Sequence, residues 1–353
     1  MASSARITIN LTALAANYTH LRALAATAEV AAVVKANAYG LGVEPIAARL
    51  MAAGCRSFFV GTLAEAIELR DLHSEPRVFV LEGLELDSLP CYSRHRLVPV
   101  LNTLTEVMVW AGQGRVPAAL QIDTGMTRAG LGADEVETLR SDSSLMAALD
   151  LQLILSHLAC ADEPANVMNL EQLERFGRWC KIWPSVPWSL ANSAGIFLGS
   201  QFHGNLVRPG IALYGGRPQT SGPNPMAEVV RLEGRVVQIR TLRETVSVGY
   251  GATQRLQPPA RVATVAAGYA DGYPRALSSR GYASSAEGRL PVVGRISMDL
   301  ITLDASARPE LRVGDYVDLL GGGVPLENIA ALAGTVNYEL LTALSRRAAR
   351  IYL

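Results

Sequence analysis

Apolar and polar positions alternate in blocks over the first two-thirds of the chain. Short apolar runs occupy 30–35, 56–61, 77–83, 96–102, 118–125, 151–158, 187–192 and 205–213. Between many of them lie stretches such as 43–53, 63–72 and 169–183, where apolar residues recur at three- and four-residue steps. That period belongs to a helix with one buried face. Strand and helix in repeated alternation give parallel strands joined by right-handed crossovers. Eight such units predict a closed (β/α)8 TIM barrel in preference to an open doubly wound sheet. No GxGxxG follows an early strand, which removes the commonest argument for a dinucleotide fold.

After about residue 226 the pattern changes. Segments 234–240, 262–267, 291–295 and 316–320 are rich in β-branched residues and bounded by Gly, Pro and Asp. Crossover helices are missing, so a C-terminal domain of mainly antiparallel β structure is expected. A last helical stretch runs over 326–350, broken near Gly334, and Gly321-Gly322-Gly323 reads as a turn because no Lys-Ser/Thr follows it. The expected division is a barrel over 1–225 and a β domain over 226–353.

In a barrel, chemistry sits at the carboxyl ends of the strands. Lys35 ends the first run, Val30-Ala31-Ala32-Val33-Val34-Lys35, and a small-residue turn follows it. An ammonium group there needs a partner or a task, and burial lowers its pKa toward a neutral amine. A neutral lysine amine is the nucleophile that forms a Schiff base with pyridoxal phosphate. Asp123 and Arg128 follow the fifth strand, His157 ends the sixth, Asn192 and Ser193 end the seventh, and Arg208 lies in the eighth. Seven polar positions on one rim point to a site.

Composition narrows the class. The 353 residues are 49% hydrophobic and 18% charged, with 32 basic and 32 acidic side chains. No basic excess or stripe suggests a nucleic-acid partner. No secretory signal or membrane-length apolar run is apparent, so a cytoplasmic protein is expected. Cys55, Cys91, Cys160 and Cys180 are scattered without CxxC spacing, as expected of reduced thiols. No HExxH pair occurs among the five histidines, so no metal site is expected.

The ordered motifs resemble the alanine racemases of the pyridoxal-phosphate, barrel-plus-β-domain family. They are Val33-Val34-Lys35-Ala36-Asn37-Ala38-Tyr39-Gly40, Asp123-Thr124-Gly125-Met126-Thr127-Arg128, Ser156-His157-Leu158-Ala159, Ala191-Asn192-Ser193-Ala194-Gly195 and Val207-Arg208-Pro209-Gly210-Ile211. The second domain adds Gly249-Tyr250-Gly251, Gly268-Tyr269-Ala270-Asp271-Gly272-Tyr273-Pro274 and Gly294-Arg295-Ile296-Ser297-Met298-Asp299. The resemblance implies an isomerase interconverting L- and D-alanine, as a source of D-alanine for peptidoglycan or as a catabolic enzyme.

It further implies that Lys35 carries the cofactor and that Tyr39, Asn192, Ser193, Gly210, Ile211 and Tyr338 hold its phosphate end. Arg208 would face the pyridine nitrogen, where an arginine can donate a hydrogen bond but not a full proton. Lys35 and Tyr250 would be the two bases on opposite faces of the substrate, with His157, beside Arg208, helping Tyr250 to ionise. Arg128, Tyr269 and Met298 would contact the substrate carboxylate. Tyr250, Tyr269 and Met298 would come from the other subunit of a head-to-tail homodimer.

Three departures bear on these roles. Gln121 stands where many members have a carbamylated lysine, Ser189 where some have a histidine near the pyridine-contacting arginine, and Leu41 where the usual wording has histidine. Serine is a further candidate substrate, because a small pocket need not reject one added hydroxyl. Two rivals are a barrel-type decarboxylase with the same cofactor, whose Gly-rich phosphate loop and catalytic-cysteine segment are not found, and a non-catalytic cofactor carrier, which would generally lack the β domain.

Overall fold

The computed structural model describes residues 4–353. Seven parallel strands follow one another in chain order: Ala32–Val33, Ser57–Val60, Arg77–Val80, Val98–Leu101, Pro117–Gln121, Asp150–Leu155 and Trp188–Ser189. The eighth, Leu206–Val207, pairs with Glu29–Val30, the lower half of the first. Main-chain bonds from Asn205 to Trp188 and from Arg208 to Ala191, both 2.9 Å, join it to the seventh and close the ring. Ser57–Val60 and Val98–Leu101 are buried at every residue, which is why they read as continuous apolar runs. Phe59 and Phe79 stack inside the ring at 4.6 Å.

Helix starts follow local chemistry. Helix Leu63–Leu72 begins with a capping box between Thr62 and Glu65, and Leu104–Ala111 begins with Thr103 accepting from Glu106 N–H. The second of the expected helices matches the stretch 63–72, and the others are Val43–Ala52 and Met168–Cys180.

The second domain is built on the 13-residue strand Val230–Leu242. It pairs antiparallel with Ala5–Ile9, Ala260–Ala266 and Tyr316–Leu320. Ala5–Ile9 also pairs in parallel with the last strand, Ala349–Tyr352. Both ends of the described residues therefore lie in the β domain, and the strand Ala5–Ile9 stands outside the barrel although it falls within the expected span 1–225. Its burial alternates residue by residue, as one covered face requires. Arg6 locks the register with two bonds to Glu233, at 2.7 and 2.9 Å.

Two expected elements differ. Of 291–295 only Pro291 lies in a strand, Gly288–Pro291, because the chain turns at Gly294 with φ +75°. The stretch 326–350 divides into helices Leu326–Ala333 and Asn337–Thr342 and then the strand Ala349–Tyr352. Gly321 and Val324 bond reciprocally across the triple glycine, as a turn.

The chain after Lys35 is the most unusual backbone. Ala36, Asn37 and Ala38 have φ and ψ between 46° and 54°, and Tyr39 has φ 57°. This is a left-handed helical turn built from non-glycine residues, each costing roughly 1–2 kcal/mol relative to the right-handed form. It persists because its neighbours hold it. Ala38 N–H donates to Val34 O at 2.8 Å and Gly40 N–H to Ala36 O at 2.7 Å. Asn37 Oδ1 accepts from Val43 N–H at 2.8 Å. From the β domain, Arg350 donates to Gly40 O at 2.6 Å and Tyr352 to Leu41 O at 2.8 Å.

Candidate active site

The strand ends surround a cleft of about 520 Å³ at the carboxyl rim of the barrel. Lys35, Tyr39, Arg128, His157, Asn192, Ser193, Arg208, Gly210, Ile211 and Tyr338 all line it. These ten residues come from six separate parts of the sequence, brought together by the fold. Asp123 serves the rim indirectly: its Oδ1 accepts the N–H groups of Gly125, Met126 and Thr127, shaping the loop that carries Arg128.

Lys35 faces the cleft. Loss of hydration, then the positive charge of Arg128, lower its pKa, while Glu65 opposes them. A larger neutral fraction makes the amine a better nucleophile and proton acceptor.

Arg208 is 4% exposed. It donates to Ser189 Oγ and, over 2.6 Å, to Ser156 O. Among the described residues it makes no ion pair with a carboxylate. Burial lowers its pKa to about 10, so at neutral pH it remains a cation and a donor only. Beside it, His157 is pushed down to about 3, first by desolvation and then by Arg208, Arg128 and Lys35. His157 is therefore a neutral imidazole at any working pH.

The opposite end of the cleft is rich in donors. Ser193 Oγ accepts from Gly210 N–H at 2.9 Å and Ala212 N–H at 3.3 Å, which turns its own hydroxyl hydrogen outward. Ile211 N–H, between them, has no acceptor among the described residues. A Cβ on Gly210 would collide with the Tyr39 hydroxyl, so glycine lets that phenol lie against the turn. Tyr39 packs on Tyr214 and Tyr338, with ring centres 4.7 and 5.9 Å away. Burial raises the pKa of Tyr39 and takes Tyr338 to about 12, so both keep their protons. Asn192 Oδ1 caps the next turn through Gly195 N–H at 2.9 Å.

This donor set fits pyridoxal phosphate. Hydroxyls and a free N–H suit a phosphate, a counterion-free arginine suits a pyridine nitrogen, and the amine of Lys35 suits the aldehyde.

Tyr250, Tyr269 and Met298 lie elsewhere on the chain, 71%, 42% and 52% exposed. They share one surface of the β domain. Tyr269 N–H donates to Ser297 O at 3.2 Å, and Ala270 N–H to Met298 O at 3.1 Å. The turn at Gly249 sits against Arg295. Arg347 braces this surface from below, bonded to Asp271 at 2.8 and 2.9 Å and to Asp299 at 2.7 Å.

Several contributors to the site carry little signal in the sequence. Glu65 shows only as the fourth residue of a capping box, and Ser156 only as the neighbour of His157. Ser189 was visible as a departure, and its hydroxyl is what Arg208 contacts. Gln121 is buried beside the cleft, while Arg128 is exposed and makes no ion pair among the described residues. Leu41 is fully buried, so it packs where the histidine of the usual wording would need a polar partner.

The profile of the alanine racemase N-terminal domain matches residues 9–218, and that of the C-terminal domain matches residues 229–352. The chain belongs to the alanine racemase family. The alanine racemase profiles cover both domains, which sets aside a carrier built on the barrel alone. A protein of Agrobacterium fabrum named "Alanine racemase, catabolic" is 46% identical, covering 99% of this chain and 92% of that protein. An alanine racemase of Methylobacterium is 45% identical over 99% of this chain and 98% of its own length. Among solved structures, the alanine racemase of Bartonella henselae with covalently bound pyridoxal phosphate superposes with a TM-score of 0.95 at 38% identity, covering all of both chains. The biosynthetic alanine racemase of Pseudomonas aeruginosa gives 0.92 at 32%, again over both full chains.

Proposed function

We propose that this protein interconverts L- and D-alanine with pyridoxal phosphate bound at Lys35, and that a second copy of the chain completes each site. One observation carries the reading: the amine of Lys35 and the carboxylate-free guanidinium of Arg208 share a cleft, while Tyr250, Tyr269 and Met298 are exposed outside it. When bound, the cofactor supplies the electron sink that lets the α-hydrogen of alanine leave as a proton.

The chain's own groups do the rest. Arg128 receives the substrate carboxylate, for which an unpaired guanidinium is suited. Arg208 donates but does not release its proton, which limits how strongly the ring nitrogen is charged. Lys35, with its lowered pKa, takes or returns the proton on one face. Tyr250 of the partner subunit does so on the other. The positive field of Arg208, Arg128 and Lys35, which adds to desolvation in keeping His157 neutral, would also favour the phenolate of a tyrosine brought beside it. The neutral imidazole of His157 can then donate its N–H to that phenolate oxygen.

The exposed tyrosines support the dimer, since large aromatic side chains are favoured anchors of interfaces. Tyr269 and Met298 of the partner subunit would close the substrate pocket. The four unpaired thiols support a cytoplasmic location. The reaction is reversible, so one site can serve either supply or breakdown of D-alanine.

The test is exchange of the α-hydrogen for solvent deuterium from each alanine enantiomer, alongside cofactor content. Exchange with racemisation supports the reading. Cofactor-loaded protein that does neither, or that releases carbon dioxide from a larger amino acid, overturns it.

A further inference from the structure

Glu65 completes the capping box with Thr62, but its shortest bonds reach beyond the cap. In a capping box the third helical residue reaches back to the N-cap N–H. Here that bond, from Thr62 N–H, is the long one at 3.4 Å. The short bonds go elsewhere. Oε2 accepts from Gly61 N–H at 2.7 Å, and Oε1 accepts from Ala36 N–H at 2.7 Å. Ala36 directly follows Lys35, and Gly61 lies against it: a Cβ on Gly61 would stand 3.7 Å from Lys35 Cβ and 3.1 Å from Glu65 Oε2.

We infer that Glu65 is a positioning residue for Lys35, its carboxylate clamping the left-handed turn Ala36–Tyr39 to the end of the neighbouring barrel strand. Three N–H groups converge on two oxygens. Only a carboxylate satisfies them, because one side of a glutamine would present its own N–H groups to a donor. The clamp opposes the tendency of four non-glycine residues to leave the left-handed region. It also places one negative charge near the amine, in opposition to Arg128. Glu65 thus fixes where Lys35 points and moderates how readily it loses its proton.

The inference rests on Lys35 being the cofactor lysine, and the experiment separates the two. Full-length wild type, Glu65→Gln and Glu65→Ala are stripped of cofactor and returned to pyridoxal phosphate. The rate of Schiff-base formation is followed from about pH 6 to about pH 10. Borohydride reduction and peptide mapping then locate the labelled lysine. Wild-type label away from Lys35 removes the premise and with it the proposal.

With the label on Lys35, Glu65→Gln is expected to lower the pH midpoint of the rate by about half a unit or more, because the ammonium form has lost a negative neighbour. Glu65→Ala is expected to do the same and to slow the limiting rate at high pH by about tenfold, because the amine is no longer aimed. A role in helix capping alone would lower thermal stability and leave the midpoint in place. Wild-type midpoints in both variants, or in Glu65→Gln alone should Glu65→Ala fail to fold, overturn the inference.

Discussion

Arg208 Nη2 donates to the main-chain oxygen of Ser156 over 2.6 Å, from a side chain that is 4% exposed. Its other branch meets Ser189 Oγ. Both partners are neutral, so the buried cation is held by dipoles and keeps donor capacity for the cleft. Replacing it with alanine strands a buried carbonyl and a buried hydroxyl, at roughly 1–3 kcal/mol each. Arg208→Ala should therefore unfold at a distinctly lower temperature and bind pyridoxal phosphate more weakly. Calorimetry with and without cofactor checks both. An unchanged unfolding temperature would show that Arg208 is not the structural support described.

His157 is kept neutral, with its pKa near 3 against about 6.5 when unfolded. Between these values the unfolded chain binds a proton that the folded chain does not. Stability from this group is thus fully present above about pH 6.5 and is lost as pH falls toward 3. His157→Asn should flatten the acid limb of a plot of unfolding free energy against pH. The same slope in both proteins would mean that His157 charges freely in the folded state.

Gly210 lets the Tyr39 hydroxyl lie against the turn that follows Arg208. A methyl group there forces the phenol away without removing any buried bond. Gly210→Ala should lose about tenfold or more in affinity for pyridoxal phosphate, the scale of one or two lost hydrogen bonds. Its thermal stability without cofactor should change by less than about 1 kcal/mol. Fluorescence titration reads the first and thermal unfolding the second.

Arg128 is exposed at the cleft and free of carboxylate partners among the described residues. If it receives the substrate carboxylate, Arg128→Gln should raise KM by roughly ten- to a hundredfold, from loss of a charge-assisted bond. Removing its charge should also raise the pKa of Lys35 and move the alkaline-going limb of kcat/KM to higher pH. Steady-state kinetics from acid to alkaline pH measures both shifts, and an unchanged KM would reassign Arg128.

Much of this was legible because burial leaves a period. Continuous apolar runs such as Val98–Leu101 announce strands covered on both faces, and helix Leu63–Leu72 carries its cap in Thr62 and Glu65. What failed was non-local. Ala5–Ile9 joins the far domain because its partners are Val230–Leu242 and Ala349–Tyr352, more than two hundred residues away. Ala349–Tyr352 follows a helical stretch without an intervening glycine or proline, so its extended form comes from pairing and not from local signals. The left-handed turn after Lys35 uses two alanines and a tyrosine, which disfavour that region, beside one asparagine, which tolerates it, and contacts from Glu65, Arg350 and Tyr352, distant in sequence, help to hold it. The motif matches brought Lys35 and Arg208 to one cleft, yet Tyr250 is exposed on the other domain.

That separation gives the most direct test of the central claim, that Lys35 of one chain works with Tyr250 of another. Lys35→Ala and Tyr250→Phe proteins are purified separately, each expected to have lost about a hundredfold or more of its activity, then mixed in equal amounts under conditions that exchange subunits. In a mixed dimer one site holds both mutations and the other neither. Half the dimers being mixed, alanine racemisation should return to about a quarter of the wild-type rate. Mixed dimers that form, as mass spectrometry can show, but recover no activity would contradict the shared site.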